Sequence, residues 1–297
     1  MRVFLTGATG FIGSRIVREL LAGGHEVVGL ARSDAGVAAL TAAGATVHQG
    51  TLEDTKTLAV GASESDAVIH TAFDHNFSNF AANCEKDKRA IEAMGAALKG
   101  SDRSLIVTSG TGMGGKNGQV AIETAFDVSN PNPRAASEVA GNALLEAGVN
   151  VSVVRLPQVH NTVRQGLVTP YIQIARQKGI AAYVGEGRNR WPAAHVSDVA
   201  RLYVLALHSS TPGARYHAVA EEGIPVRNIA AAVGKGLSVA VRSITPEQAQ
   251  EHFGWLGLFV AMDLPASSAI TRELLGWRPI GPTLLSDLET MEYTAAS

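Results

Sequence analysis

The 297-residue chain is 46% hydrophobic and 18% charged, with a formal net charge of -2, 31 glycines and one cysteine. That apolar fraction excludes wholesale disorder, the slightly negative charge argues against nucleic acid or a membrane surface as partner, and the lone Cys84 excludes an intrachain disulfide framework and a Cys-rich zinc site. No apolar run nears the roughly 20 residues of a membrane span, and the RVFLTG start has no leader pattern, so a soluble, cytoplasmic protein is expected.

Short apolar runs alternate with helix-like stretches through the first half. Strands are expected at Arg2–Thr6, Glu26–Leu30, Thr46–His48, Ala67–Thr71, Ser104–Ser109 and Asn150–Leu156. Most are continuously apolar, as strands covered on both faces are. Helices are expected at Phe11–Ala22, Asp34–Ala43, Cys84–Leu98 and Ala135–Glu146. This alternation implies right-handed crossovers and a parallel sheet. After about Pro157 the rhythm is lost, with Gly185, Gly187, Trp191 and Pro192 as punctuation. A helix at Ser197–Leu207, a strand at Arg215–Val219 and a helix at Val226–Lys235 follow. The expected plan is a nucleotide domain over residues 1–157, joined by 194–219, and a substrate lobe of 158–193 and 220–297.

The strongest motif is the run VFLTGATGFIGS. Gly7, Gly10 and Gly13 are spaced three apart, directly after a strand and opening a helix. The first glycine permits a tight turn, the second lets backbone N–H groups approach a pyrophosphate, and the third lets helix and strand pack closely. The phosphates then sit at the positive end of the helix, beside Thr9, Phe11 and Ile12. Arg32 lies 25 positions after Gly7, where NAD binders carry a carboxylate for the ribose 2′-hydroxyl. A guanidinium there suits the 2′-phosphate of NADP, with Ser33 as a further donor. Asp34 keeps NAD open as the alternative.

With these residues, the chain resembles the extended short-chain dehydrogenase/reductase superfamily, of the NAD(P)-dependent epimerase/dehydratase-like group. The resemblance covers essentially the whole chain. It rests on TGATGFIG (6–13), GTLED (50–54), HTAF (70–73), IVTSG (106–110), RLPQVHN (155–161), HVSDVA (195–200) and LGWRP (275–279). It implies an α/β fold: a Rossmann-type doubly wound parallel sheet with a smaller C-terminal substrate-binding lobe. It further implies that Leu52 and Glu53 lie near the adenine, although Thr51 replaces the usual acidic residue before them. Thr71, Ala72 and Phe73 would run along the cofactor ribose, and Pro157 and Val159 would border the nicotinamide. Asn83 would match the asparagine of the catalytic tetrad, and Ser109 or Thr111 would stand beside the substrate oxygen. Helix-paired dimers are common in the superfamily, which leaves a homodimer open.

One departure limits the functional expectation. The superfamily's proton transfer uses Tyr-x-x-x-Lys, and here the matching segment NPRAASEVAG carries Arg134 and Glu138 at those positions. No gap restores the pair, because the first of five tyrosines is Tyr171. A guanidinium stays protonated, so Arg134 is a poor general acid but an effective fixed cation for a developing oxyanion. The plain alternative is an Arg134–Glu138 pair on one helix face. His160, after RLPQV, is the candidate replacement proton donor, since an imidazole titrates near neutrality. His75, Tyr171 and Trp191 are candidates on the substrate side. Asp198 is expected to be architectural, with Ser197 or Asp198 capping its helix. The run HFGWLGLFVAMD at 252–263 walls an apolar pocket or forms a packing surface. No metal-ligand spacing is present.

The resulting expectation is an NADP-dependent oxidoreductase acting on a small carbonyl or alcohol substrate with a non-standard proton donor. A catalytically silent NADP-binding sensor or scaffold is the rival from another class. A nucleotide-sugar epimerase or dehydratase ranks below both, because those reactions use the missing tyrosine.

Overall fold

A computed structural model describes residues 1–293. The strands are β1 (Arg2–Thr6), β2 (Glu26–Ala31), β3 (Thr46–Gln49), β4 (Ala67–His70), β5 (Ser104–Gly110), β6 (Asn150–Leu156), β7 (Gln158–His160), β8 (Ile180–Val184), β9 (Arg190–His195), β10 (Arg215–His217), β11 (Glu221–Pro225) and β12 (Ala240–Ile244). The helices are α1 (Gly13–Ala22), α2 (Asp34–Ala42), α3 (Thr55–Ser63), α4 (Phe80–Leu98), α5 (Ala135–Glu146), α6 (Val168–Lys178), α7 (Val196–Ser209), α8 (Val226–Leu237), α9 (Pro246–Phe253), α10 (Gly257–Ala261), α11 (Ala269–Leu275) and α12 (Leu284–Thr290).

Seven strands form one parallel sheet in the order β10-β6-β5-β4-β1-β2-β3. The chain winds from β1 out to β3, then returns to place β4 against the other side of β1. The order therefore reverses between β1 and β4, where the carboxyl ends of such sheets leave a crevice. Helices α1, α2 and α7 cover one face through Ile16, Leu20, Leu40, Val199 and Leu202. Helices α3, α4 and α5 cover the other through Leu58, Ile91, Met94, Leu98 and Ala140. Both faces of β1 are thus sealed, which is why Val3 to Thr6 are all buried and the strand reads as an unbroken apolar run.

The expected element boundaries shift where local hydrogen bonding decides. Helix α1 begins at Gly13 rather than Phe11, because Gly7 takes a positive φ of 71° and its carbonyl accepts the Gly10 N–H at 2.8 Å. Helix α4 starts at Phe80 rather than Cys84, continuing a 3₁₀ turn in which the Asn76 side chain accepts the Ser78 N–H. Helix α3 was not among the expected helices; Asp54 caps it by accepting the Thr57 N–H.

A second apolar core gathers Tyr171, Trp191, Ile229, Val233, Phe253 and Leu284. Around it lie the small sheets β11-β9-β7 and β12-β8. Asp198 is architectural: its carboxylate accepts the Ile280 and Gly281 N–H groups at 3.0 and 2.8 Å. The α7 cap is instead His195, whose ring accepts the Ser197 N–H. Among the described residues, no helix is long and apolar enough to cross a membrane.

Candidate active site

A cleft of about 2110 Å³ runs from the glycine turn, past the carboxyl ends of β4, β5 and β6, to the second lobe. Ordinary small-ligand pockets span roughly 300–1,000 Å³, so this one has room for a dinucleotide and a second molecule. Gly7, Thr9, Gly10, Phe11, Ile12 and Gly13 form its floor. A Cβ on Gly13 would lie 2.7 Å from Gly7 C and 3.0 Å from Ala8 Cα, both backbone atoms. The helix and turn therefore meet as closely as a pyrophosphate cradle requires.

Arg32, Leu52 and Glu53 line the far end, and Thr71, Ala72, Phe73, Pro157 and Val159 line the middle. Ser33 does not line the cleft; its hydroxyl caps α2 by accepting the Gly36 N–H. Two lining residues at this end had no sequence signal. Lys86 bridges Glu53 at 2.6 Å and Asp74 at 2.9 Å. Those contacts hold the Glu53 and Asp74 carboxyls below their usual range, with Arg32 adding a smaller effect on Asp74.

Arg134 lies on the cleft wall at the start of α5, 4.2 Å above the Phe73 ring centroid. It does not pair with Glu138, contrary to the plain alternative. Its partner is Asp87 on α4, at 2.7 Å, and it also donates to the Thr108 carbonyl at 2.9 Å. Asp87 is 1% exposed and also contacts His70 (3.0 Å) and Ser137 (2.5 Å). Burial pushes its carboxyl up, but the Arg134 charge and the His70 and Ser137 hydrogen bonds outweigh this and hold it well below the usual range. The visible signal for Asp87 is a carboxylate inside the apolar stripe Cys84, Ile91, Met94 and Leu98 of α4.

Glu138 turns the other way. It is 0% exposed and forms a two-pronged ion pair with Arg155 of β6, both contacts at 2.8 Å, plus one with Arg215 at 3.0 Å. Arg155 also donates to the Ile122 and Ala125 carbonyls, pinning the loop that roofs the cleft, and to His217 Nε2. Burial and the Arg155 charge push the His217 imidazole down to about 4. A histidine lowered on folding binds its proton more readily unfolded, so its contribution is complete above about 6.5 and is lost as pH falls toward 4. The melting temperature should therefore drop steadily across that window. A melting temperature flat between those two pH values would contradict this placement of His217.

Several expected site residues do not reach the cleft. His160, expected as the proton donor, is 0% exposed and does not line the cleft; its Nδ1–H donates to Asp287 at 2.6 Å. Tyr171 is buried, its hydroxyl donating to the Ala182 carbonyl, and Trp191 is buried with its indole N–H on the Phe259 carbonyl. Both hold the second lobe together rather than meeting a substrate. Asn83 donates to the Asn76 carbonyl, ordering the segment after β4. Ser109 is 3% exposed yet lines the cleft, and its buried hydroxyl has no hydrogen-bond partner among the described residues. Thr111 and His75 do line the cleft. The 252–263 run also walls it, through Trp255, Leu258, Phe259 and Met262. Among the described residues, no group of three or more His, Cys, Asp or Glu side chains could hold a metal ion.

A parallel sheet in this order, with a glycine turn at its reversal point and a second lobe closing the same cleft, defines a Rossmann-type α/β protein. Residues 3–219 match the model of the NAD dependent epimerase/dehydratase family, and the chain belongs to that family. An uncharacterized protein of Schizosaccharomyces pombe is 48% identical over 294 residues, covering 99% of this chain and 100% of its own. Among solved structures, a dTDP-glucose 4,6-dehydratase of Streptomyces venezuelae with NAD bound superimposes with a TM-score of 0.77 at 20% identity, over 99% of this chain and 96% of that one. The human epimerase family protein SDR39U1 with NADPH gives 0.74 at 17% identity, over 99% and 100%. At these identities the two structures establish the fold alone.

Proposed function

We propose that the chain is an NADP-dependent oxidoreductase that moves a hydride between nicotinamide and a small carbonyl or alcohol substrate. The observation that carries this reading is the Arg134 guanidinium, braced from behind by Asp87, on the wall of the cleft that opens at the glycine turn. The glycine cradle, with no space for a Cβ at Gly13, fits a dinucleotide. When bound, the nicotinamide supplies or accepts the hydride.

The chain's own residues then divide the remaining work. Thr111, which lines the cleft, donates to the substrate oxygen. Arg134 stabilises negative charge on that oxygen without changing protonation state. His75 handles the proton. Its Nδ1–H donates to the Phe73 carbonyl at 3.1 Å, which leaves Nε2 for exchange with substrate or water. Partial desolvation by the surrounding cleft, with Arg134 and Arg164 adding repulsion, lowers its pKa below 6.5. At neutral pH it is therefore an acceptor suited to alcohol oxidation, and carbonyl reduction gains as the medium becomes acidic.

Arg32 supports NADP as the cofactor, and the human neighbour's NADPH agrees with it. Arg32→Ala should weaken NADPH binding by tenfold or more while NADH changes little, as expected for a lost charge-assisted contact of about 1.5–3 kcal/mol. Equal losses for both cofactors would refute the role. Loss of NADPH absorbance across a panel of aldehydes and ketones tests the activity itself. A silent sensor would bind NADPH and oxidise none of it, whereas a nucleotide-sugar epimerase, the reading favoured by family membership alone, would retain a tightly held cofactor through purification.

A further inference from the structure

The substrate end of the cleft is walled by aromatic rings from both lobes. Phe73, His75, Phe77 and Phe80 follow β4 in one short segment. The Phe73 and His75 rings meet edge-on at 5.2 Å, and the Phe77 and Phe80 rings stack at 5.7 Å. Trp255, between α9 and α10, crosses from the second lobe and stacks on Phe77 with centroids 4.4 Å apart and planes at 11°. Trp191 and Trp277 are each 1% exposed, whereas Trp255 is 43% exposed. Packing of a core therefore does not explain where this indole sits. One of its faces covers Phe77, it meets the Phe259 ring edge-on at 6.2 Å, and it lines the cleft.

Building on the oxidoreductase reading, we infer that the substrate is an aryl aldehyde or ketone whose ring lies on the Phe77–Trp255 platform. A ring conjugated to a carbonyl is electron-poor, and the indole face is electron-rich, so offset stacking is favoured beyond simple burial of area. A saturated ring of the same size buries a similar area but is thicker and carries no matching quadrupole. Arg134 and Thr111 line the same cleft, and the carbonyl of a ring bound there is assigned to them. In the reduction, the carbonyl carbon gains a hydride from reduced nicotinamide. The π pair moves to oxygen, which takes one proton through His75, and the products are an aryl carbinol and oxidised cofactor.

The test compares acetophenone with cyclohexyl methyl ketone as ligands of the protein loaded with oxidised NADP, which cannot reduce them, by calorimetric titration. Acetophenone should bind about fivefold more tightly, as aromatic pairing contributes beyond area. Trp255→Leu should bring the ratio close to one, and Trp255→Phe should retain most of it. Equal affinities in the unaltered protein, or a ratio indifferent to Trp255→Leu, would overturn the inference. Turnover of benzaldehyde and cyclohexanecarbaldehyde with NADPH is read separately. If the binding preference holds while neither aldehyde is reduced, the aromatic site stands and the redox reading falls. If both aldehydes are reduced alike and bind alike, the redox reading stands and the aromatic site falls.

Discussion

Gly13→Ala should remove NADPH binding, weakening it by at least about a hundredfold, or about 2.7 kcal/mol. The added methyl would collide with the Gly7 carbonyl and lie 2.7 Å from Gly7 C and 3.0 Å from Ala8 Cα. None of these is the movable end of a side chain, so relief requires the turn and α1 to separate. That separation withdraws the N–H groups and the helix end from the phosphates. It also disturbs the packing of Ile16, Val17 and Leu20 on the sheet, for which overpacking costs of about 1–3 kcal/mol are usual. Titration of protein fluorescence with NADPH reads the first effect and thermal unfolding the second. Affinity within threefold of the parent would show that the glycine turn does not hold the cofactor.

The second large effect is expected at Glu138. Glu138→Leu leaves the Arg155 guanidinium, itself 0% exposed, without its carboxylate partner. Removing one member of a buried pair costs about 3–5 kcal/mol, because the remaining charge is dehydrated and uncompensated. In a chain of this size that corresponds to a fall in Tm of about 5–8 °C. The loop held by Arg155 through the Ile122 and Ala125 carbonyls should loosen with it, raising KM for the substrate. The double variant Glu138→Leu, Arg155→Leu should recover part of the stability, since both charges then leave the interior. A Tm within about 2 °C of the parent for Glu138→Leu alone would contradict the ion pair's structural role.

The nucleotide half was legible because its signals are local. The glycine spacing, the strand before it and the helix after it lie within the first 22 residues, and the continuous apolar strands announce a sheet covered on both faces. Arg134 was legible as an anomaly, but its partner was not. The i,i+4 rule points to Glu138 on the same helix, whereas Asp87 approaches from α4, 47 positions earlier. His160 failed for the same reason: its partner Asp287 is 127 positions away, on α12. The second lobe was the least legible region. Strand β7 is only three residues long, and the lobe's order depends on distant ties such as Asp198 to Gly281. The apolar run at 252–263 was visible, yet its role depended on Phe77, a residue of the other lobe.

The role proposed for Arg134, a fixed cation on the wall of an NADP-dependent redox cleft, is catalytic. It is tested most directly by following NADPH absorbance with an aldehyde substrate for the parent protein and Arg134→Met, each at saturating cofactor. The expected result is steady NADPH oxidation by the parent and a kcat lower by about a hundredfold or more in the variant, with NADPH affinity unchanged. Tight NADPH binding by the parent without oxidation by any carbonyl compound, or equal turnover by both proteins, would contradict the claim.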